Sequence, residues 1–259
     1  MFEAFFISAI TIFIYASLWF IISLIIKRND IADIAWGLGY ILLVLFFLFQ
    51  QNNTYEDYLL YILIILWGLR LSIHIFIRNQ GKTEDYRYNQ WRKEWGKYFY
   101  IRSYLQIYLL QGFLLILIAS PIILTSVNTN NHLNFLSFLG LIIWFIGFYF
   151  KSVGDYQLAK FLKNPENKGK ILKTGLWQYT RHPNYFGEVT MWWGIFLIVV
   201  NLNNFVYALM SPLTITILIL FISGVPLLEK KYQGDPEFEK YKKETNKFFP
   251  SFRKNKISS

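Results

Sequence analysis

The chain contains 259 residues, of which 54% are aliphatic or aromatic and only 16% are charged, and it has no cysteine. The absence of cysteine excludes disulfide bonds, thiol catalysis and iron–sulfur clusters. The net charge is +10, but no basic soluble module exists to hold nucleic acid, so we assign this charge to a surface that faces anionic lipid headgroups.

Seven apolar windows of about 20 residues, the length that crosses a bilayer, follow one another along the chain. They cover residues 3–26, 31–49, 57–77, 103–125, 135–151, 184–201 and 205–227. The first window is too long for a cleavable signal peptide and lacks a basic lead. We therefore predict an all-α membrane protein, a bundle of about seven transmembrane helices that forms a single membrane domain over residues 1–259.

Lysine and arginine alternate between the segments that join the predicted spans. These segments carry two, none, seven, none, seven and none along the chain, and the tail after the last span carries nine. Positive residues accumulate on the cytoplasmic side of membrane proteins. The alternation therefore predicts an outside N-terminus and a cytoplasmic C-terminus.

The second predicted span carries Asp33, Trp36, Gly37 and Tyr40 at i, i+3, i+4 and i+7, which places them on one helical face. A carboxyl group held away from water can stay protonated and serve as a proton donor. Asp33 is therefore a catalytic candidate. It lies near the cytoplasmic end of the span, so the alternative is that it reaches toward the adjacent basic residues.

The third predicted span carries Arg70, His74 and Arg78, each four residues apart and so on one face. An arginine as deep as Arg70 needs a partner in a membrane, and Asp33 and Glu188 are candidates. This face either makes a structural ion pair or lines a cytoplasmic cavity for a phosphorylated ligand.

The segment 78–102 predicts an amphipathic surface helix, because Tyr88, Trp91 and Trp95 fall on one stripe. Its beginning directly follows the basic face of the third span. The stretch Asp85-Tyr-Arg-Tyr88 at this beginning, which includes Tyr86, is therefore a further candidate for the site.

The stretch 173–188 collects basic, aromatic, amide and carboxyl groups at the start of a hydrophobic helix. Pro183 suits the first helical position, because its missing N–H would have no helical partner there. A helix N-terminus carries partial positive charge, and Arg181 and His182 lie beside it. The stretch therefore predicts an anion-binding site.

An interfacial anchor of arginine and aromatic residues is the alternative for this stretch, because such anchors are common in membrane proteins. It would explain Arg181 and Trp177, but not Asn184 and Glu188, which lie one and two turns further into the span. Asp155, at the end of the fifth span, could cap its helix or bind ribose hydroxyls.

The tail predicts a helix that begins with Asp235 as its N-cap and Pro236 at its first position. Tyr241 belongs to an apolar stripe that can pack back on the bundle. Glu229 and Tyr232 lie just before this helix, where the last span ends.

The polar groups of the predicted spans collect on the cytoplasmic half. A transporter would need them through the midplane, so this asymmetry favours an enzyme that takes a soluble anionic cofactor at a cytoplasmic mouth and a lipophilic substrate from the bilayer. His74, His132 and His182 lie on three different segments, so we expect no metal site.

The stretch Gly175-Leu-Trp-Gln-Tyr-Thr-Arg-His-Pro-Asn-Tyr-Phe-Gly-Glu188 resembles the C-terminal half of the steroid 5-alpha-reductase family. The residues around it that share the resemblance are Asp155, Glu229, Tyr232, Tyr241 and Pro250. The full length is similar to a bacterial branch of that family. The wider superfamily includes sterol reductases and isoprenylcysteine carboxyl methyltransferases.

The resemblance implies a bundle of seven transmembrane helices in which NADPH enters from the cytoplasm and donates a hydride to an enone. It implies that Asp155, Asn184 and Tyr232 contact NADPH and that Arg78 meets its phosphates. It also implies a bacterial cytoplasmic membrane as the location.

Two departures from the family pattern concern the chemistry. The catalytic Gln-Glu pair of the second helix is not visible here, and Ile75 stands beside His74 where the catalytic tyrosine would align. The proton donor would therefore be another group, with Asp33, His74 and Tyr86 as candidates. The methyltransferase branch shares the Arg-His-Pro-x-Tyr-x-Gly motif, so the motif does not distinguish NADPH from S-adenosylmethionine.

We therefore expect a membrane oxidoreductase that reduces a carbon–carbon double bond of a steroid-like or isoprenoid enone with NADPH. The alternatives are an S-adenosylmethionine-dependent methyltransferase of the isoprenylcysteine type and a non-catalytic membrane component. Residues 1–134 would form the substrate side and residues 135–259 the cofactor side. The expected cofactor-binding residues are Arg78, Asp155, Trp177, Tyr179, Arg181, His182, Asn184, Tyr185, Glu188, Glu229, Tyr232 and Tyr241.

Overall fold

The computed structural model describes residues 1–49, 53–127, 133–201 and 203–251. Within these ranges the regular structure is entirely helical, which confirms the predicted all-α class. The α-helices are α1 (Phe2–Ile26), α2 (Ile31–Leu48), α3 (Tyr55–Asn79), α4 (Tyr86–Trp95), α5 (Phe99–Ser103), α6 (Leu110–Ile118), α7 (Ser120–Thr125), α8 (Phe135–Lys163), α9 (Pro183–Val199), α10 (Phe205–Ile217), α11 (Val225–Lys231) and α12 (Pro236–Glu244). Short π-helical segments join α5 to α6 and follow α10.

Six helical stretches in the described ranges are long and apolar enough to cross a membrane. They are Phe2–Ile26, Ile31–Leu48, Tyr55–Asn79, Tyr86–Ile118, Phe135–Lys163 and Phe205–Lys231. The remaining predicted span, 184–201, forms α9, which has only 17 residues. The protein is thus an integral multi-pass membrane protein, but the predicted count of seven spans is not confirmed.

The chain divides into two compact units that differ slightly from its two halves. The first unit comprises Met1–Leu133 and Val199–Ser211, and the second comprises Asn134–Ile198 and Pro212–Ser259. The second unit therefore contains α8, α9 and the C-terminal helices. Most of the residues predicted to bind a cofactor belong to it.

In the first unit, α2 and α3 pack closely because glycines face each other. A methyl group added at Gly37 would lie 2.7 Å from the carbonyl oxygen of Gly68, so neither position accommodates a side chain. One turn further along, the ring of Tyr40 packs edge-on against Trp67 with centroids 5.0 Å apart. The predicted polar face of α2 is thus largely a helix-packing surface.

Helix α4 confirms the predicted helix in the segment 78–102, but its aromatic stripe packs inside the protein. Tyr88 is only 2% exposed and belongs to a core cluster with residues of α1, α2 and the π-helical segment. Trp91 and Trp95 stack with ring centroids 5.3 Å apart and pack against this cluster. The stripe therefore holds α4 to the helices of the first unit.

In the second unit, α8 and α9 approach along glycines spaced seven residues apart. A methyl group added at Gly140 would meet the carbonyl oxygen of Gly194 at 2.5 Å, and one at Gly147 would meet that of Gly187 at 2.7 Å. Gly154 lies against the backbone of Asn184 in the same way, at 3.1 Å. Small residues let helix backbones approach closely in membranes.

We predict that Gly147→Ala lowers the free energy of unfolding by about 1–3 kcal/mol, because the added methyl meets backbone atoms that cannot rotate away. The unfolding midpoint of purified protein in detergent measures the effect. Gly112→Ala is the matched control, since its methyl meets only side-chain atoms of Ile12 and Ala16, at 3.3 and 3.6 Å. Equal losses in both variants would show that the α8–α9 contact has no special importance.

Candidate functional site

The segment before α9 is held against α8 by two hydrogen bonds. The backbone N–H of Leu176 donates to the Gln157 side chain (2.9 Å), and the indole N–H of Trp177 donates to the carbonyl of Gly154 (3.2 Å). Helix α9 then begins at Pro183, as predicted. These contacts fix the position of the loop that carries Arg181 and His182.

Arg181 and His182 share one carboxylate. The guanidinium donates two hydrogen bonds to Oε1 of Glu229, at 3.0 and 2.8 Å, and Nε2 of His182 lies 3.1 Å from the same oxygen. Both side chains are buried. Glu229, predicted from the sequence only as a cofactor contact, therefore holds the two basic residues of the motif together.

The remaining guanidinium nitrogen of Arg181 binds the tail. Nη1 donates to the carbonyls of Thr245 and Lys242, at 2.7 and 3.3 Å, at the end of α12. The backbone N–H of Arg181 also donates to the carbonyl of Asn246 (2.9 Å). The sequence predicted Arg181 as a charge that faces a ligand, whereas each of its three side-chain nitrogens has a protein acceptor.

Further bonds attach the tail to the same motif. The hydroxyl of Tyr241 donates to the carbonyl of Trp177, and the hydroxyl of Thr180 donates to the carbonyl of Phe248 (2.8 Å). Asp235 caps α12 by accepting from two backbone N–H groups, as predicted. Tyr241 is 2% exposed, so the predicted apolar stripe of the tail does pack back on the helices.

The imidazole of His182 has one ring nitrogen in use and one without a protein partner among the described residues. Burial lowers the pKa of His182 below its ordinary value, although Glu229 opposes this effect. The ring is therefore neutral at neutral pH, and Nε2, which faces a carboxylate, carries the proton. Nδ1 is then a buried acceptor that receives no hydrogen bond from any described residue.

A pocket lies against these groups. Its lining includes Lys170, Trp177, Arg181, His182, Tyr232 and Tyr241. Five of these six residues were predicted from the sequence to bind a cofactor. Lys170 was missed, and its only sequence signal is its place in the basic loop before the motif.

A second polar cluster connects α8 to α9. The side-chain amide of Asn184 donates to Asp155 (2.9 Å), and the ammonium of Lys151 lies 3.3 Å from Asp155 and 3.4 Å from Glu188. All four residues are buried. The structure thus brings together three predicted site residues, and it adds Lys151, whose spacing of four residues from Asp155 was the available signal.

The two remaining tyrosines of the motif lie next to these groups. The ring of Tyr185 stacks on His182 with centroids 5.7 Å apart. Tyr179 accepts a backbone hydrogen bond from Ser251 (3.0 Å), so it helps to hold the tail.

The catalytic candidate Asp33 lies in the first unit and has different partners from those predicted. Its carboxylate accepts from the guanidinium of Arg87 (2.9 Å) and from the hydroxyl of Tyr88 (2.9 Å). Asp33 pairs with Arg87, not with Arg70. Both contacts use the carboxyl oxygens as acceptors, so Asp33 can orient the guanidinium of Arg87 and the hydroxyl of Tyr88.

In the described part of the chain, the hydrogen-bond and ion-pair partners of Asp33 are Arg87 and Tyr88, and the other predicted residues of the first unit are not among them. Tyr86 is 67% exposed. The side chains that turn toward Asp33 are those of the next two residues, Arg87 and Tyr88. Arg78 is exposed at the last turn of α3 and donates to Asn79 (3.3 Å). His74 lies one turn before it on α3.

No group of three or more His, Cys, Asp or Glu side chains in the described part of the chain is arranged to hold a metal ion. One of the three histidines, His132, lies outside the described residues.

Two curated mammalian proteins are similar to part of the chain. The mouse 3-oxo-5-alpha-steroid 4-dehydrogenase 1 is 33% identical over 72 residues, which are 28% of this chain and 28% of the mouse protein. The rat protein of the same name is 33% identical over 76 residues, 29% of each chain. The chain thus spans less than a third of the length of these relatives. No solved structure matches.

A much longer match concerns a family without an assigned activity. Residues 19–245 match the family described as protein of unknown function DUF1295. This range covers both units described above and includes the motif, Glu229 and Tyr241. The chain belongs to the DUF1295 family.

Proposed function

We propose that the protein is an NADPH-dependent membrane reductase that acts on a carbon–carbon double bond of a lipophilic, steroid-like or isoprenoid enone. The observation that carries the proposal is the convergence of Trp177, Arg181, His182, Tyr232 and Tyr241 on one pocket. The similarity to steroid dehydrogenases over 28–29% of the chain supports the same reaction class.

The pocket has the chemistry that a dinucleotide needs. Trp177, Tyr232 and Tyr241 provide aromatic walls for a planar base. A flat ring of the cofactor would pack against these side chains.

Lys170 is the better candidate for direct contact with a phosphate. Arg181 is buried and its charge is balanced by Glu229 at 2.8 Å, whereas Lys170 is exposed at the edge of the pocket. An ammonium there can reach an anionic group without breaking a buried ion pair. Arg181 would contribute mainly by holding the pocket in shape.

His182 and the α8–α9 cluster offer specific hydrogen bonds. A buried acceptor that lacks a donor costs about 1–3 kcal/mol, so a ligand that donates to Nδ1 of His182 would relieve that cost. Asp155 and Asn184 carry the acceptor and donor groups that suit ribose hydroxyls. His182, Asp155 and Asn184 would thus each make a specific hydrogen bond to the cofactor.

NADPH would supply a hydride to the substrate, and the protein would have to stabilise the charge that develops on the substrate oxygen. Asp33 stays the proposed centre of this chemistry. Its contacts suggest that it acts by orienting the guanidinium of Arg87, whose remaining N–H groups can donate to an oxygen.

We predict that NADPH raises the unfolding midpoint of the purified protein and that S-adenosylmethionine does not. A ligand at 100 times its dissociation constant stabilises a protein by about 2.7 kcal/mol. Stabilisation by S-adenosylmethionine alone would favour the methyltransferase alternative, and stabilisation by neither would favour a non-catalytic component.

Lys170→Gln should weaken NADPH binding by roughly 1.5–3 kcal/mol, the value of a hydrogen bond to a charged group. The matched control is Lys168→Gln, since Lys168 is exposed on the same loop and does not line the pocket. Titration of NADPH with both variants measures the difference. Equal affinities would remove Lys170 from the site.

Asp33→Asn should reduce turnover of an enone by ~10²-fold or more, the usual contribution of general acid–base catalysis. Arg87→Gln separates two roles of the carboxyl, because it removes the ion pair and keeps Asp33. If both variants lose turnover together and still bind NADPH, Asp33 orients its partners. If only Asp33→Asn loses turnover, the carboxyl itself transfers the proton, and wild-type rates in both would exclude the group.

We also propose an outside N-terminus and a cytoplasmic C-terminus, as the lysine and arginine distribution indicates. Reporter domains inserted after Asn53, between α2 and α3, and fused at the C-terminus should lie on opposite sides of the membrane. The same side for both would contradict this topology.

A further inference from the structure

A second pocket, in the first unit, takes no part in the proposed reaction. It lies where α1 ends and where α4 and α5 pack against that end, and it has an empty volume of about 360 Å³. Its lining includes Ser23, Lys27, Asn29, Arg92, Phe99 and Ser103. It combines two cations with small polar groups at the end of an apolar helix.

Lys27 is held at this pocket by an unusual backbone conformation. It ends α1 with a φ of 56°, and within the described residues no other residue except glycine has a positive φ. Such a conformation costs free energy for a lysine, and asparagine or glycine would adopt it more easily. In the described part of the chain, no carboxylate lies within ion-pair distance (4.0 Å) of its ammonium group. The position therefore presents an uncompensated charge.

Arg92 adds a second cation, and its ion pair with Glu84 uses only one of its nitrogens. One of its nitrogens lies 3.3 Å from both oxygens of Glu84, and the guanidinium covers the ring of Phe99 at 4.0 Å. Glu84 also accepts a hydrogen bond from the backbone N–H of Asn29 (2.6 Å). The remaining N–H groups of Arg92 can donate into the pocket.

The hydroxyl of Ser103 completes the set of donors. It is 1% exposed and accepts from the side chain of Asn29 (3.3 Å), and no described residue takes up its own proton. Two cations and one hydroxyl around a small space match the oxygens of a phosphate group.

The borders of the pocket indicate where the rest of the ligand lies. Leu24 and Tyr100, which also line it, are 40% and 59% exposed, and Ile25 and Ile101 next to them are 74% and 60% exposed. In a membrane protein these apolar side chains face acyl chains. The pocket is therefore open both to the headgroup layer and to the hydrocarbon beside it.

We propose that this pocket binds the headgroup of an anionic phospholipid, with Lys27, Arg92 and Ser103 on its phosphate and with its acyl chains along Leu24 and Tyr100. Basic pockets between transmembrane helices recognise anionic headgroups in this way. The bound lipid joins α1 to α4 and α5, and so steadies the helix that carries Arg87 and Tyr88.

The test uses full-length protein, purified without cofactor and stripped of lipid, and then titrated with phosphatidylglycerol, with phosphatidylcholine and with inorganic phosphate. Native mass spectrometry counts bound lipid, and the unfolding midpoint measures its effect. We expect phosphatidylglycerol to bind and stabilise in preference to phosphatidylcholine. We expect Lys27→Gln to weaken that binding by about fivefold or more, and Lys27→Arg to restore it.

Lys93→Gln is the matched control, because Lys93 is exposed on α4 and does not line the pocket. Equal weakening by Lys93→Gln and Lys27→Gln would overturn the proposal in favour of a general surface-charge effect. Equal binding of the two lipids would also overturn it. Competition by inorganic phosphate at millimolar concentration would assign the pocket to a soluble phosphorylated ligand instead. None of these outcomes depends on NADPH binding, so the proposed reaction can fail separately.

Discussion

The close contact between α8 and α9 is the constraint on which the second unit depends. Gly140, Gly147 and Gly154 have no side chains, so the backbone of α9 can approach α8 more closely than even a methyl group would allow. At this separation the short side chains of Asp155 and Asn184 reach each other at 2.9 Å. Larger residues on this face would move the two helices apart, and the buried polar cluster would lose its partners.

A second interaction extends this order to the tail. Glu229, at the end of α11, binds both Arg181 and His182, while Arg181 binds the carbonyls at the end of α12. A buried arginine without such acceptors would be strongly destabilising. The motif therefore holds α11 and α12 against the start of α9, and it also forms one side of a pocket. This explains why charged groups occur at the start of a hydrophobic helix.

The sequence predicts the helices well because membrane spans follow from long apolar windows, and it predicts Pro183 and Asp235 at helix starts because caps are local features. The sequence indicated which residues to consider for the site, but not which of them pair with each other. Asp33 was expected to stay neutral or to meet Arg70, and it meets Arg87 instead. The choice of partner depends on how α4 packs, and the aromatic stripe that decides this packing is equally typical of a helix lying on the membrane surface. The seven-residue spacing of the glycines was visible and was missed.

The pocket wall formed by Tyr241 belongs to α12, which is synthesised after α8 and α9. During translation, α8 and α9 enter the membrane before α12 exists, so Arg181 at that stage lacks its acceptors at Lys242 and Thr245. The site is therefore completed only after the tail has left the ribosome and docked. A chain that stops before residue 236 would insert its earlier helices and still have an open, unfinished pocket. Assembly of the site is thus a late step in the folding of the second unit.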